Sequence, residues 1–276
     1  MKNVTFFFLC ILFFVQCTNR KSGTVEDTIG YDIDIEEKIS FEQIAFPDLL
    51  GSTMQLLKVD SLLLINDFHG DSLVYVYNLK TNQKMGYLVS VGDGPNDLIS
   101  PLELQTDGDN LWVLSRPLHI LSHTPLSAIG ENGVVPLVQD GRVKGEADCF
   151  VPLSPNHMAF SGFFAKRYAL ANTNHLDSVT EFGDYPDFWE EEKSFPVEAK
   201  AMFHQSRFVV NPERHLFASC SYFVLEIYDY GRIGTNLPEL KFRKQLGRYE
   251  YDYQKGKRVT ASLRDGSDLA AVDIVA

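Results

Sequence analysis

The chain has 276 residues, 45% of them hydrophobic and 22% charged, a composition that suits a globular protein with a substantial core. Its formal net charge is −12, from 37 acidic and 25 basic residues. That field repels nucleic-acid phosphates and anionic lipid headgroups, so nucleic acid is excluded as a partner and membrane contact requires an anchor.

The chain begins with a targeting pattern. Lys2 gives a positive start, and Val4 to Val15 (VTFFFLCILFFV) is an apolar run of twelve. That is short for a membrane span and right for a signal-peptide core. The run ends at Gln16-Cys17 and turns polar at once, TNRKSG. This resembles the lipobox of bacterial lipoproteins, in the relaxed form found in Bacteroidetes, because Phe14-Val15-Gln16 lacks the usual small residue before the cysteine. An ordinary signal peptide is the alternative. The resemblance implies that Cys17 is the lipidated first residue of the mature chain. It divides the sequence into a signal peptide (1–17), a polar tether (18–38) and a folded domain (39–276). Thr18 stands where an inner-membrane retention signal would place Asp. Asn19, Arg20 and Lys21 stand where surface-exported lipoproteins carry acids. The resemblance thus implies an outer-membrane lipoprotein facing the periplasm, with the cell surface as the alternative. No other run is long and apolar enough to span a bilayer. Two cysteines remain in the domain, Cys149 and Cys220, both in apolar strand-like runs that suit buried thiols.

From Ile39 onward the pattern is a recurring turn followed by a short apolar strand. It occurs at Val59–Asn66, Asp107–Ser115, Ser154–Gly162 and Asn211–Cys220. The first strand residues, Leu62, Leu111, Met158 and Leu216, are spaced by 49, 47 and 58. Gly92 and Gly183, each closing a strand, stand 91 residues apart, two units of about 45 residues, the length of a four-stranded propeller blade. In the first unit strands are expected at 54–58, 62–66, 72–79 and 84–91. In the third they are expected at 149–153, 157–160, 167–172 and 178–182, and in the fourth at 203–210, 215–219 and 222–228, with a poorly defined last strand. The long final interval holds Pro186 to Lys193 (PDFWEEEK), an inserted loop or short helix. Few long amphipathic helices are legible, so the fold class is all-β. A propeller of four-stranded antiparallel blades is expected, with a β-sandwich as the alternative.

Two segments carry a family resemblance. NLKTNQKMGYLVSVGDGPNDLISP (78–101) and SRFVVNPERHLFASCSYFVLEIYDY (206–230) resemble blade segments of the six-bladed, TolB-like propeller lipoproteins of Bacteroidetes. The resemblance runs from Phe46 to the end and carries no catalytic residues. Chains of that family continue for one or two more blades, whereas LAAVDIVA at the end reads like a strand beginning. Four blades and a started fifth, an incomplete ring, are the expectation.

Candidate chemistry is sparse. Asp67, His69 and Asp71 space three ligand types by two, yet calcium loops carry more oxygen donors and zinc wants more His or Cys, so a polar turn is the plainer reading. His119 and His123 would lie about 13 Å apart on a strand, too far to share an ion. Asp107-Gly108-Asp109-Asn110 reads as a hairpin turn. Glu190, Glu191 and Glu192 read as a solvated face, beside Phe188 and Trp189, which have the faces to stack on a sugar or peptide. Arg248 to Tyr253 (RYEYDY) reads as strand or loop packing. No catalytic residue and no cofactor is assigned. The expected role is a lipid-anchored binding propeller for a protein, peptide or glycan, with a metal-dependent hydrolase or lyase as the alternative.

Overall fold

The structure is a computed structural model that describes residues 50–68, 72–92, 94, 97–129, 137–256 and 259–267. All of these fall in the second of two compact units, Ile44–Ala276; the first, Met1–Gln43, lies outside the described residues. The segments expected to be a signal peptide and a tether, with Cys17, therefore lie outside them too.

Four antiparallel four-stranded sheets follow one another along the chain, each a meander in chain order. The first holds β1 (Thr53–Val59), β2 (Leu62–Asp67), β3 (Val74–Asn78) and β4 (Gln83–Tyr87). The second holds β5 (Leu102–Thr106), β6 (Asn110–Ser115), β7 (Ile120–Pro125) and β8 (Val138–Arg142). The third holds β9 (Glu146–Ser154), β10 (His157–Phe163), β11 (Tyr168–Asn172) and β12 (His175–Phe182). The fourth holds β13 (Arg207–Asn211), β14 (Leu216–Cys220), β15 (Val224–Asp229) and β16 (Glu239–Gln245). A two-stranded sheet follows, β17 (Tyr251–Lys255) with β18 (Val259–Leu263). The first strands of successive sheets neighbour one another, β1 beside β5, β5 beside β9 and β9 beside β13. That is the radial arrangement of propeller blades, not the two facing layers of a sandwich.

A meander of this size cannot bury both its faces alone, and here the neighbouring blade does it. Leu64, Val74 and Val76 of the first blade meet Leu104, Leu111 and Val113 of the second. Trp112, Leu114 and Leu121 of the second meet Phe150, Met158 and Phe160 of the third. Tyr168 and Phe182 of the third meet Phe208, Phe217 and Tyr228 of the fourth, largely as edge-to-face rings. Side chains also bond across the joins. The Gln55 amide donates to the Leu104 carbonyl (2.8 Å) and accepts from the Leu104 N–H (2.9 Å), standing in for one rung of a ladder between β1 and β5. Gly183, after β12, adopts φ +69°, and a Cβ there would come within 2.8 Å of the Tyr228 hydroxyl, so the close approach of the third and fourth blades requires glycine.

The stretch between β12 and β13 departs from the sequence reading. Phe203 was expected to open a strand through Val210. Instead a short helix, α1, covers Val197–Phe203, and the strand starts at Arg207. The reason is packing: Ala199 and Ala201 of α1 are buried, and Phe203 stacks on Tyr251 of β17 at 4.1 Å. The two-stranded sheet is thus held by the insertion: Phe188, Trp189, Phe195 and Phe203 surround Tyr249 and Tyr251. Cys149 and Cys220 are both buried thiols.

One ion pair is fully buried between the third and fourth blades. Arg167, 1% exposed, donates from Nε to Glu226, itself wholly buried, at 3.1 Å. Its other nitrogens donate to the His204 carbonyl and to Ser206 Oγ (2.7 Å). Arg243 Nε holds the second Glu226 oxygen at 2.8 Å, and the Tyr168 hydroxyl donates to Glu226. Burial would raise the Glu226 carboxyl, but Arg167 and Arg243 outweigh it and hold it below the usual value. Removing Arg167 leaves the buried Glu226 charge to the partly exposed Arg243 alone. Arg167→Leu is therefore expected to destabilise the fold by about 3 kcal/mol, and adding Glu226→Gln recovers part of that loss. Urea melts measure both; an Arg167→Leu variant as stable as wild type would show that the pair does not join the blades.

Candidate functional site

In an antiparallel meander the turns after first and third strands emerge at one end of the blade, and the turn after the second strand at the other. The two ends differ here.

At the first end, turns of three blades surround a cleft of about 660 Å³. The β5–β6 turn supplies Asp107 and Asp109, the β9–β10 turn Ser154 and Pro155, and the β13–β14 turn Pro212 and His215. The connection after β15 supplies Tyr230 and Ile233. Apolar surface comes from Pro152, Leu153 and Val210 at the strand ends beneath. Each turn has a local cause. Asp107 accepts from the N–H groups of Asp109 (2.9 Å) and Asn110 (2.7 Å), and from Trp112 Nε1 (2.8 Å), an Asx-type turn tied to the strand it precedes. Burial raises the Asp107 carboxyl, but these donors outweigh it and hold the group below its ordinary value. In the β13–β14 turn, Asn211 accepts from the Arg214 N–H at 3.1 Å, and His215 takes the left-handed conformation, φ +52°. Its ring meets Tyr230 edge-on at 5.8 Å, and Tyr230 in turn lies 6.4 Å from Phe217 of the interblade core. Burial raises the Tyr230 hydroxyl above its ordinary value.

At the other end, paired charges join three blades around a space of about 80 Å³. Asp148 accepts from Arg116 (2.8 Å) and Gln205 (2.9 Å). Arg207 pairs with Glu103 and donates to Cys149 Sγ at 3.4 Å. Burial, followed by the charge of Glu103, raises the Cys149 thiol far above its ordinary value, which favours the thiol over the thiolate.

The residues singled out from the sequence fall as follows. Asp67 is buried, and its carboxylate accepts from the N–H groups of Gly51 and Ser52, each at 2.7 Å, clamping the chain ahead of β1. His69 and Asp71 lie outside the described residues. His119 sits in the β6–β7 turn at φ +55°, while His123 on β7 bonds Asp140 at 2.8 Å. Asp107 to Asn110 do form a hairpin turn, and that turn also lines the cleft. Phe188 and Trp189 pack edge-on against Tyr249 inside the protein. Among the described residues no group of three or more His, Cys, Asp or Glu is placed to hold a metal ion, and no helix is long and apolar enough to cross a membrane.

The acidic run needs correction. Glu190 and Glu191 are exposed, but Glu192 is fully buried. It accepts from the Phe188 N–H (3.0 Å) and the Tyr251 hydroxyl (2.9 Å), with His204 Nε2 at 3.4 Å. A 3₁₀ turn over Glu191–Ser194 rolls this one carboxyl inward. Burial lifts it to about 7, against the Phe188 and Tyr251 donors. The folded chain then binds a proton that the unfolded chain has released, so stability falls as pH rises from about 4.5 to 7. Burial, then the charges of Arg167, Arg243 and Lys200, holds His204 neutral, which acts in the opposite direction over part of that window. The comparison with Glu192→Gln isolates the glutamate: wild type should lose on the order of 2 kcal/mol relative to that variant between pH 5 and 7.5. Urea melts at the two pH values check this; a pH-independent difference would refute it.

A family model described as TolB-like 6-blade propeller-like matches residues 36–268. The chain belongs to that family. Among solved structures it is similar to the WD40 domain of Toxoplasma gondii coronin, at 14% identity over 73% of this chain and 48% of that one, TM-score 0.43. It is also similar to a member of the DUF4221 family from Bacteroides vulgatus, at 9% identity over 70% and 57%, TM-score 0.43. A third is Hsv2 of Kluyveromyces lactis, at 10% identity over 70% and 53%, TM-score 0.43. The chain spans about half the length of these structures. No curated protein matches it.

Proposed function

We propose that this protein is a lipid-anchored envelope protein whose propeller binds a ligand in the cleft at the turn end of the blades. The observation that carries the binding role is the cleft itself. Its 660 Å³ lies in the range of ligand sites, and its walls are apolar with a few polar groups converging. Much of its lining comes from turns, while Leu153, Val210, Tyr230 and Ile233 join it to the core between the third and fourth blades. A photo-crosslinking residue in place of Ile233 is expected to yield a defined adduct in living cells, and one in place of exposed Val138, on the outer strand of the second blade, is not. Equal labelling from both positions, or none from Ile233, would remove the cleft from consideration.

The address rests on the sequence. Cys17 after a twelve-residue apolar run supports a lipoprotein, and the several acyl chains of such an anchor hold a protein firmly where one chain would not. Asn19, Arg20 and Lys21 in place of acids support the periplasmic side of the outer membrane. Cys17→Ala should move the protein from the membrane to the soluble fraction, and protease added to intact cells should leave the wild type whole. A membrane-bound Cys17→Ala variant would defeat the anchor, and digestion on intact cells would place the domain on the surface.

A further inference from the structure

We infer that the turn-end cleft takes a peptide segment in which one cationic side chain is flanked by apolar residues. This rests on the reading of that cleft as the binding site. Three features of its lining point to such an occupant.

The first is charge. The two carboxylates at the cleft, Asp107 and Asp109, are joined there by no lysine or arginine; His215 is the one other titratable side chain besides Tyr230. Asp107 is committed to its own turn through four donor contacts. The Asp109 carboxylate is exposed and makes no hydrogen bond or ion pair with any described residue. It is thus available to a ligand cation, in a chain of net charge −12 that draws cations and repels anionic sugars, phosphates and nucleic acids.

The second is the walls. Pro152, Leu153, Val210 and Ile233 offer hydrocarbon, and Tyr230 with His215 offers aromatic surface. Besides the Tyr230 phenol, hydroxyl and amide side chains are Thr106, Asn110 and Ser154, and Ser154 Oγ already faces His157 Nδ1 at 3.1 Å. A glycan, which presents a hydroxyl at almost every carbon, would lose more hydrogen bonds to water than this lining returns. Apolar side chains lose none.

The third is shape. Turns from three separate blades bound the cleft, so its sides are gaps between turns through which a chain can pass. Prolines stand in the walls at 152, 155 and 212, and their fixed φ restricts the backbone there, which lowers the ordering cost of binding.

The test uses the full-length chain in nonionic detergent on an array of acetylated pentapeptides of mixed sequence. The retained set is expected to be enriched in Lys or Arg between apolar residues. For the best binder, measured by fluorescence anisotropy, Asp109→Asn should weaken binding about two- to fivefold, the range of one exposed ion pair, and salt raised to about 0.5 M should do the same. Replacing the peptide's cation by norleucine should match that loss. The two lip variants, Ile233→Arg and Pro155→Arg, should each abolish binding; exposed Pro155→Arg should leave the thermal melt in place, and Ile233→Arg, whose side chain also packs against the interblade core, is compared with its own melt. An array that retains nothing, or retains acidic peptides, overturns the inference. Binding that is blocked by both lip variants yet ignores Asp109 and salt also overturns it, while leaving the cleft as the site. Binding that survives both lip variants lies elsewhere and sinks the cleft reading itself.

Discussion

A four-stranded meander has two faces and no means of burying either one. Everything else in this protein follows from that constraint. The second and third blades each lend one face to the blade before and the other to the blade after, so a strand such as HMAFSGF is buried on both sides instead of alternating cleanly with polar residues. The aromatic interlock of Tyr168, Phe182, Phe217 and Tyr228 is one such shared core, and rings meeting edge to face contribute about 0.5–1.5 kcal/mol per pair beyond the area they bury.

The same constraint explains where charge is admitted. Two glutamates are fully buried, and the structure treats them in opposite ways. Glu226 lies between Arg167 and Arg243 and stays ionised, so its contribution is present at neutral pH and lost only as pH falls through its lowered value. Glu192 sits among Phe188, Tyr249 and Tyr251 with no lysine or arginine bonded to it among the described residues, and burial lifts it to about 7, so it keeps its proton well above the usual carboxylate range. A blade interface, crossed by backbone and side-chain donors, can hold a charge. An aromatic cluster built from an insertion and a two-stranded sheet favours the neutral form of the acid instead.

The blades were legible because turn chemistry is local. Asp107-Gly108-Asp109-Asn110, Ser154-Pro155 and Asn211-Pro212 mark hairpins without any knowledge of partners, and all three are hairpins. The errors came where distant residues decide. MFHQSRFVV carries spaced apolar residues that fit a strand, and only Tyr251, 48 positions beyond Phe203, makes its first part the end of a helix. Glu192 looked like its two neighbours, because the Tyr251 hydroxyl that receives it is 59 residues away. The cleft was hidden for the same reason. Its turns could be read singly, but their convergence on Tyr230 and Ile233 is a property of the ring geometry.

That geometry leaves the two ends of the blades unequal. At one end Arg116, Asp148, Gln205, Arg207 and Glu103 satisfy one another across three blades, so opening that end would expose or strand several charges at once. At the other end Asp107 and Asn211 spend their side-chain oxygens on their own turns and Asp109 stays exposed, so among the described residues no ion pair joins the turns across the gap. Tyr230 connects that gap to the core through Phe217. A ligand seated there would press on a rigid aromatic floor while touching walls that are free to differ from blade to blade. Leu153 and Tyr230 belong to the cleft and to the core alike, so selectivity can change at little cost to the fold only at turn residues outside that core, such as Asp109 and Pro155.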